Sequence, residues 1–106
     1  MIHPQQGDIW WGEAEDKRRP LLVVTRSEAA SVLGRIVVAP VTRTVRGIPT
    51  EVPLGLEDGL TVDCVATFDN LETLSTALLT ERVTPSTAKR RSLICAALAA
   101  FADCRP

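Results

Sequence analysis

The 106-residue sequence has few aromatic side chains and no long hydrophobic run. Aromatic residues make up 4% of the chain, and tyrosine is absent. No apolar run approaches the roughly 18 residues that a transmembrane helix needs. The first residues also lack the basic, apolar and small-residue order of a signal peptide. We therefore expect a protein that has no contact with a membrane and stays in the cytoplasm.

Histidine and cysteine are too few and too scattered to suggest a metal site. The sequence has one histidine, His3, and three cysteines, Cys64, Cys95 and Cys104, with no CxxC pair among them. An odd number of cysteines argues against a disulfide framework, and structural zinc sites use closely spaced ligands. We predict no metal ion and no cofactor. We interpret Cys95 as a small core residue on the apolar side of a helix.

The formal net charge is −1, so the molecule as a whole does not attract nucleic acid. The basic residues are nevertheless clustered, at positions 17–19, at 43 and 46, and at 89–91. Clusters that converge in space can form a positive face on a nearly neutral protein. Each cluster taken alone is equally consistent with a solvated surface segment.

The length and the hydrophobic content of 45% predict a single globular domain that spans residues 1–106. Residues 12–19 are interpreted as a polar loop, and residues 27–34 as a short helical turn. Short apolar or alternating segments typical of β-strands recur along the rest of the chain. They cover residues 7–11, 21–25, 36–41, 50–54, 61–68 and 81–83.

The C-terminal segment has the clearest helical pattern. Thr84 is a candidate N-cap, and Pro85 suits the first position of a helix. Apolar residues follow at helical spacing from Ile94 to Phe101, which predicts one buried face with the basic residues 89–91 mainly on the other side. Several short strands followed by one helix predict a mainly β fold, a small barrel with the helix packed across it.

Four segments, taken in order, resemble the MazF/PemK/Kid family of toxins. They are residues 7–10 (GDIW), 17–24 (KRRPLLVV), 38–42 (VAPVT) and, more weakly, 68–74 (FDNLETL). The resemblance implies an SH3-like small barrel of the CcdB/Kid/MazF type and a homodimer. It also implies sequence-selective, metal-independent cleavage of single-stranded RNA, and a cognate antitoxin that occupies the RNA groove. Any contact with DNA is then indirect, through the antitoxin.

The resemblance assigns catalysis to Arg19 and Thr42. A guanidinium can hold two phosphate oxygens and stays charged, and a strand end can direct a hydroxyl at the phosphate. Asp69 is a candidate general base, because some relatives have an aspartate in the matching segment. Those relatives also have an arginine two residues earlier, where this chain has Thr67, so a turn-capping role for Asp69 stays equally open.

Four basic residues in the two variable loops are expected to bind RNA phosphates: Lys17, Arg18, Arg43 and Arg46. Single-stranded RNA is usually bound by stacking its bases on aromatic rings or guanidinium planes. Alternation along the first strand sends one of Trp10 and Trp11 into the core and the other outward. The outward one is interpreted as a dimer contact, an antitoxin contact or a platform for a base, and Trp11 is included among the candidate RNA-binding residues.

Two other functions are compatible with a small β barrel. A gyrase-poisoning toxin of the CcdB type has the same fold and needs neither Arg19 nor Thr42. A peptide-binding module of the SH3 type needs a groove lined by aromatic residues. The low aromatic content disfavours the second alternative.

Overall fold

The β-rich segments of the sequence form strands, and the C-terminal segment forms the long helix. The computed structural model describes residues 3–14 and 17–103. Within these residues the order of elements is β1 (Ile9–Ala14), β2 (Lys17–Val23), α1 (Ser27–Ala30), β3 (Arg35–Thr42), β4 (Glu51–Leu54), β5 (Cys64–Thr67), β6 (Glu72–Ser75), β7 (Leu79–Thr84) and α2 (Ala88–Ala102). Short 3-10 turns occupy Leu56–Asp58, Phe68–Asn70 and Thr76–Leu78.

The strands pair in an antiparallel sheet with the order β4-β5-β3-β2-β1-β7, and β6 pairs with β3 beside this path. The sheet is not closed, because β4 and β7 form the two ends of the path among the described residues. The predicted fold class, mainly β with a C-terminal helix, is confirmed. Pro53 lies in the end strand β4, where a residue without an N–H is tolerated.

Both faces of the sheet are covered by apolar side chains. Ile9 and Leu22 face the first core, which Ile94 of α2 completes. The adjacent residues Trp10 and Leu21 face the second core. This alternation confirms that one tryptophan is buried, because Trp10 is 9% exposed and the next residue is partly exposed.

The start of the C-terminal helix differs from the prediction. Thr84 is the last residue of β7 and pairs with Ile9, which holds it in an extended conformation. The helix instead begins at Ala88, and Thr87 caps it by accepting a hydrogen bond from the Arg90 backbone N–H at 3.1 Å. Phe101 lies beyond the core and is 48% exposed. Cross-strand pairing therefore outweighs the local helix-start signal.

The interpretation of residues 12–19 as a loop was also wrong. β1 and β2 continue as a hairpin up to the pair Ala14↔Lys17. Opposite charges face each other across it, as in the pair Glu13↔Arg18, and such pairs stabilise an exposed hairpin despite its polar composition. Residues 15 and 16 lie outside the described part of the chain.

A buried charged network joins the N-terminus to the start of α2. The Arg90 guanidinium donates to Asp58 Oδ1 at 3.0 and 3.1 Å and to the carbonyl oxygens of Gly7 and Pro85 at 2.7 and 2.9 Å. The Asp8 carboxylate accepts from the Ser86 N–H at 2.8 Å and from Trp10 Nε1 at 3.2 Å. We call these contacts the Asp8–Arg90 network.

The prediction that residues 89–91 face mainly outward fails at Arg90, which is 2% exposed. Its charge is tolerated inside the protein because a carboxylate and two carbonyl oxygens accept its hydrogen bonds. The network thus links three segments that are distant in sequence.

Replacing Arg90 by methionine is expected to lower the free energy of unfolding by about 3 kcal/mol, because Asp58 and two carbonyls lose their donor. Urea unfolding followed by circular dichroism measures this change. The control is Arg91→Met, since that guanidinium donates to an exposed hydroxyl of Ser86. It should change stability by less than about 0.5 kcal/mol. Equal losses in the two variants would contradict a special role for Arg90.

Candidate nucleic-acid interface

The antiparallel pairing of β2 and β3 brings two of the three basic clusters to one edge of the sheet. β2 begins at Lys17, and β3 ends at Thr42, directly before Arg43. Because neighbouring antiparallel strands run in opposite directions, the start of one lies beside the end of the other. We call residues 17–19, 43 and 46 the basic edge. The third cluster, at 89–91, lies at the start of α2 and is not part of it.

Arg19 and Thr42 lie at equivalent positions on the two strands. The hydrogen-bonded register of β2 and β3 ends at the pair Leu21↔Pro40. Arg19 and Thr42 are each two residues beyond this pair, and a two-residue step along a strand returns to the same face. Both side chains therefore belong to the face of the sheet that carries Leu21.

The side chain of Arg19 is unpaired within the described residues. It is partly exposed and makes no hydrogen bond or ion pair within residues 3–14 and 17–103. Its cross-strand partner on β1 is Gly12, which contributes no side chain. A Cβ at Gly12 would lie 2.8 Å from Leu21 Cδ1, so a larger residue here would force this buried side chain to shift.

Within the described residues the hydroxyl of Thr42 accepts one hydrogen bond, and its proton is not used in another. Its Oγ1 accepts a hydrogen bond from the Thr44 backbone N–H at 3.2 Å, and the residue is partly exposed. A threonine hydroxyl that accepts one bond can still donate its own proton. Arg19 and Thr42 thus present one cation and one neutral donor on the same face of the sheet.

Asp69 occupies a different part of the sheet. It lies in the 3-10 turn after β5 and is exposed, and its Oδ2 accepts from the Thr50 hydroxyl at 2.6 Å. Thr42 pairs with Val65, whereas Asp69 lies four residues further along the chain, beyond the end of β5 at Thr67. The bond to Thr50 fits the structural role that the sequence left open. A catalytic role for Asp69 stays a prediction.

Arg18 and Trp11 form an exposed stacked pair. The Arg18 guanidinium carbon lies 4.7 Å from the centre of the Trp11 ring, and Nη2 is 3.8 Å from Glu81 Oε2. Register places these three residues on the face opposite Arg19. Exposed contacts of this kind stabilise a protein little, so both side chains can exchange them for other partners.

The remaining cations of the basic edge are exposed: Lys17, Arg43 and Arg46. The last two belong to the loop of residues 43–50 between β3 and β4, which we call the basic loop. Sequence reasoning missed the residue that anchors this loop. Glu51 accepts hydrogen bonds from the backbone N–H groups of Arg46 and Gly47. The only signal in the sequence was an acidic residue at the start of an otherwise apolar strand.

An open groove of about 970 Å³ lies between the basic loop, β4 and the first turns of α2. Apolar side chains such as Val45, Ile48 and Leu93 line much of it, and none of Arg19, Thr42 and Asp69 does. The groove is therefore separate from the predicted cleavage site. Among the described residues, no group of three or more histidine, cysteine or acidic side chains is arranged to hold a metal ion. No helix within them is long and apolar enough to span a membrane.

One of the cysteines differs from its predicted environment. Cys95 was expected in the core, but it is exposed on α2. Its apolar neighbours at helical spacing, Ile94 and Ala97, take the buried positions instead. Cys64 is buried against the groove, where burial raises the pKa of its thiol and the charges of Asp58 and Asp63 raise it further. Cys104 lies outside the described residues.

A small antiparallel sheet with a C-terminal helix and a basic edge is the architecture of a known class of small toxins. The chain matches the PemK-like, MazF-like toxins of type II toxin–antitoxin systems over residues 5–102. It therefore belongs to this family. The match covers nearly the whole chain, and the resemblance inferred from four short segments is confirmed.

Two relatives from Mycobacterium tuberculosis carry endoribonuclease names. The chain is 38% identical to a probable endoribonuclease MazF5 over 103 residues, covering 95% of this chain and 94% of the relative. It is 35% identical to a probable endoribonuclease MazF2 over 101 residues, covering 94% and 99% respectively.

Solved structures confirm the fold. The M. tuberculosis toxin MazF-mt6 superimposes with a TM-score of 0.85 at 31% identity, covering 93% of this chain and 99% of that one. A mycobacterial endoribonuclease solved in complex with its cognate antitoxin superimposes with a TM-score of 0.83 at 28% identity, covering 97% and 98%.

The two described cysteines are expected to react at different rates with iodoacetamide at neutral pH. Exposed Cys95 should be alkylated first, because the raised pKa of Cys64 lowers its thiolate fraction and burial limits access. Increasing the pH should accelerate alkylation of Cys64 only above the ordinary range of thiol titration. Peptide mass spectrometry reports each site separately, and equal rates at neutral pH would contradict the buried environment of Cys64.

Proposed function

We propose that residues 1–106 form a single toxin domain that cleaves single-stranded RNA sequence-selectively and without a metal ion. The products are a 2′,3′-cyclic phosphate and a 5′-hydroxyl. The observation that carries this proposal is the position of Arg19 and Thr42 on one face of the sheet, within an edge of exposed cations. The endoribonuclease names of the mycobacterial relatives support the same activity.

In the proposed reaction the substrate supplies its own nucleophile. The 2′-oxygen attacks the adjacent phosphorus, the bond to the 5′-oxygen breaks, and one proton leaves the 2′-hydroxyl while another reaches the 5′-oxygen. The protein must stabilise the negative charge of the five-coordinate transition state. Arg19 suits this role because its side chain has no partner among the described residues and its planar group matches two phosphate oxygens. Thr42 donates its remaining proton to a phosphate oxygen.

The two proton transfers need different groups. An arginine is a poor base, so Arg19 serves as a donor or electrostatic stabiliser near the leaving 5′-oxygen. Asp69 is the candidate base for the 2′-hydroxyl. Its bond to Thr50 uses one of the acceptor positions on the carboxylate, and others are free to accept a proton.

RNA is proposed to bind along the basic edge. Lys17, Arg43 and Arg46 contact backbone phosphates, and Trp11 with Arg18 offers a stacking surface on the adjoining face. The protein acts as a homodimer in the cytoplasm. A cognate antitoxin inhibits it with an acidic, partly disordered segment that covers the cations and folds on binding. The complex of a mycobacterial endoribonuclease with its antitoxin supports this partner class.

Gyrase poisoning of the CcdB type is less well supported. That activity needs no free arginine and threonine hydroxyl at a shared edge, and the mycobacterial relatives are named as endoribonucleases. Cleavage of RNA is therefore the function that we retain.

The proposal is tested by incubating the purified protein with a long single-stranded RNA in excess EDTA. Cut sites are mapped, and the chemistry of the new 5′ ends is determined by their resistance to ligation before phosphorylation. Discrete cuts with 5′-hydroxyl ends support the proposal. Intact RNA in the presence of folded protein would contradict it, and a DNA-supercoiling assay then tests gyrase poisoning.

Arg19→Ala is expected to slow RNA cleavage by about 10³-fold, the upper range for removal of one transition-state donor. Fold and thermal stability should not change, because the Arg19 side chain makes no hydrogen bond within the described residues. The matched control is Arg26→Ala, an exposed arginine beyond the opposite end of β2. A normal cleavage rate in Arg19→Ala would refute the mechanism even if the protein is a nuclease.

Thr42→Val removes the hydroxyl and keeps the size of the side chain. The cleavage rate should fall by about 10²-fold, whereas Thr42→Ser, which restores the hydroxyl, should recover most of the activity. Thr44→Val is the control, because it keeps the backbone N–H that contacts Thr42. Similar losses in the Thr42 and Thr44 valine variants would indicate a packing effect and not a lost donor.

A further inference from the structure

Glu51 is a buried carboxylate at the base of the basic loop. It is the first residue of β4 and is 8% exposed. Its Oε1 accepts hydrogen bonds from the backbone N–H groups of Arg46 at 3.0 Å and Gly47 at 2.9 Å, and its Oε2 is 3.3 Å from the Arg46 nitrogen. Neither oxygen is paired with a cationic side chain in the described part of the chain.

These bonds fix the path of the loop backbone. The Glu51 N–H donates to the Ile48 carbonyl at 3.1 Å, so main chain and side chain together close the segment 46–51 on itself. Gly47 lies at the turn with φ of +68°, a left-handed conformation that other residues adopt at a cost. The closed segment is attached to β5 through the pair Glu51↔Thr67.

The negative charge of Glu51 is stabilised by hydrogen bonds from backbone N–H groups. An unpaired buried carboxylate is costly, and hydrogen bonds from N–H groups to an ionised acceptor are stronger than those to a neutral one. The arrangement therefore fixes the loop backbone at Arg46 and Gly47 while the side chains of Arg43 and Arg46 remain exposed. A salt bridge to either arginine would have neutralised a cation of the basic edge instead.

We infer that Glu51 is a positioning residue for RNA binding, which fixes the basic loop so that Arg43 and Arg46 meet the phosphates in a defined register. This inference rests on the proposed nuclease function. It concerns substrate binding, because Glu51 belongs to neither of the strands that carry Arg19 and Thr42.

The sign of the effect separates positioning from bulk electrostatics. Removing an acidic residue near a basic surface makes that surface more positive, which by itself strengthens RNA binding and lowers KM. Releasing the basic loop has the opposite effect, because the arginines must then be ordered when RNA binds. A rise in KM after loss of a negative charge therefore indicates positioning.

The experiment measures kcat and KM for cleavage of a short RNA that contains one mapped cut site. Glu51→Ala should raise KM by about tenfold and change kcat by less than about twofold, since hydrogen bonds to a charged group are lost. Glu51→Gln should raise KM by only about threefold, because the remaining amide oxygen can still accept from both N–H groups. Glu28→Ala, which removes an exposed acid on α1, controls for charge and should not raise KM.

A second pair of variants tests the loop without altering a buried side chain. Gly47→Ala strains the left-handed turn of the basic loop, where an added Cβ meets no atom within 4 Å. Gly34→Ala is matched to it, with φ of +67° and equally open space, at the far end of β3. Gly47→Ala should raise KM by about threefold and Gly34→Ala should leave it unchanged.

The four possible outcomes are distinguishable. An unchanged or lower KM in folded Glu51→Ala overturns the positioning role while the nuclease function stands. If Glu51→Ala does not fold, equal KM values for Gly47→Ala and Gly34→Ala overturn it. Absence of cleavage by the unmodified protein overturns the proposed function, and the positioning role with it. Faster hydrogen exchange of the Arg46 and Gly47 amides in Glu51→Gln, with KM raised, supports the inference.

Discussion

The Asp8–Arg90 network is the constraint on which the rest of the fold depends. One buried guanidinium holds the carbonyl of Gly7, the carboxylate of Asp58 and the carbonyl of Pro85, while Asp8 holds the N–H of Ser86. The network lies where β1 begins and where β7 passes into α2, so it fixes the sheet and the helix relative to each other. β1 in turn pairs with β2, the strand that carries Arg19, and so supports it.

Strand pairing, and not a cavity, brings the residues of the candidate site together. Because β2 and β3 are antiparallel, a cluster before one apolar strand and a residue at the end of the next meet at one edge. Arg19 and Thr42 share a face, and the basic loop begins one residue later. The groove beside α2 is lined by neither Arg19 nor Thr42. Two buried carboxylates, Asp8 and Glu51, accept from backbone N–H groups and so organise the sheet and the loop without neutralising the exposed cations.

Much of this arrangement could be predicted from the sequence, because alternation and β-branched runs report directly on strands. The segments 36–41 and 50–54 correspond to β3 and β4, and one of the two adjacent tryptophans is buried, as alternation predicts. Local signals failed where long-range contacts decide. Thr84 is held in a strand by its pairing with Ile9. Arginine normally faces solvent, but Arg90 is buried because it binds Asp58 and Gly7, which lie more than 30 positions away. Glu51 was missed for a different reason: its partners lie only four and five positions away, but they are backbone N–H groups, which every residue type except proline offers.

The central claim is that RNA meets the protein at the face shared by Arg19 and Thr42. The most direct test is an NMR titration with an RNA that spans a mapped cut site and carries a 2′-O-methyl group, so that it binds but cannot be cleaved. The account predicts the largest shift changes at the Arg19 side chain, at Thr42 and in residues 43–47. Changes confined to the groove around Ile48, Leu56 and Leu93, with Arg19 and Thr42 unaffected, would contradict it.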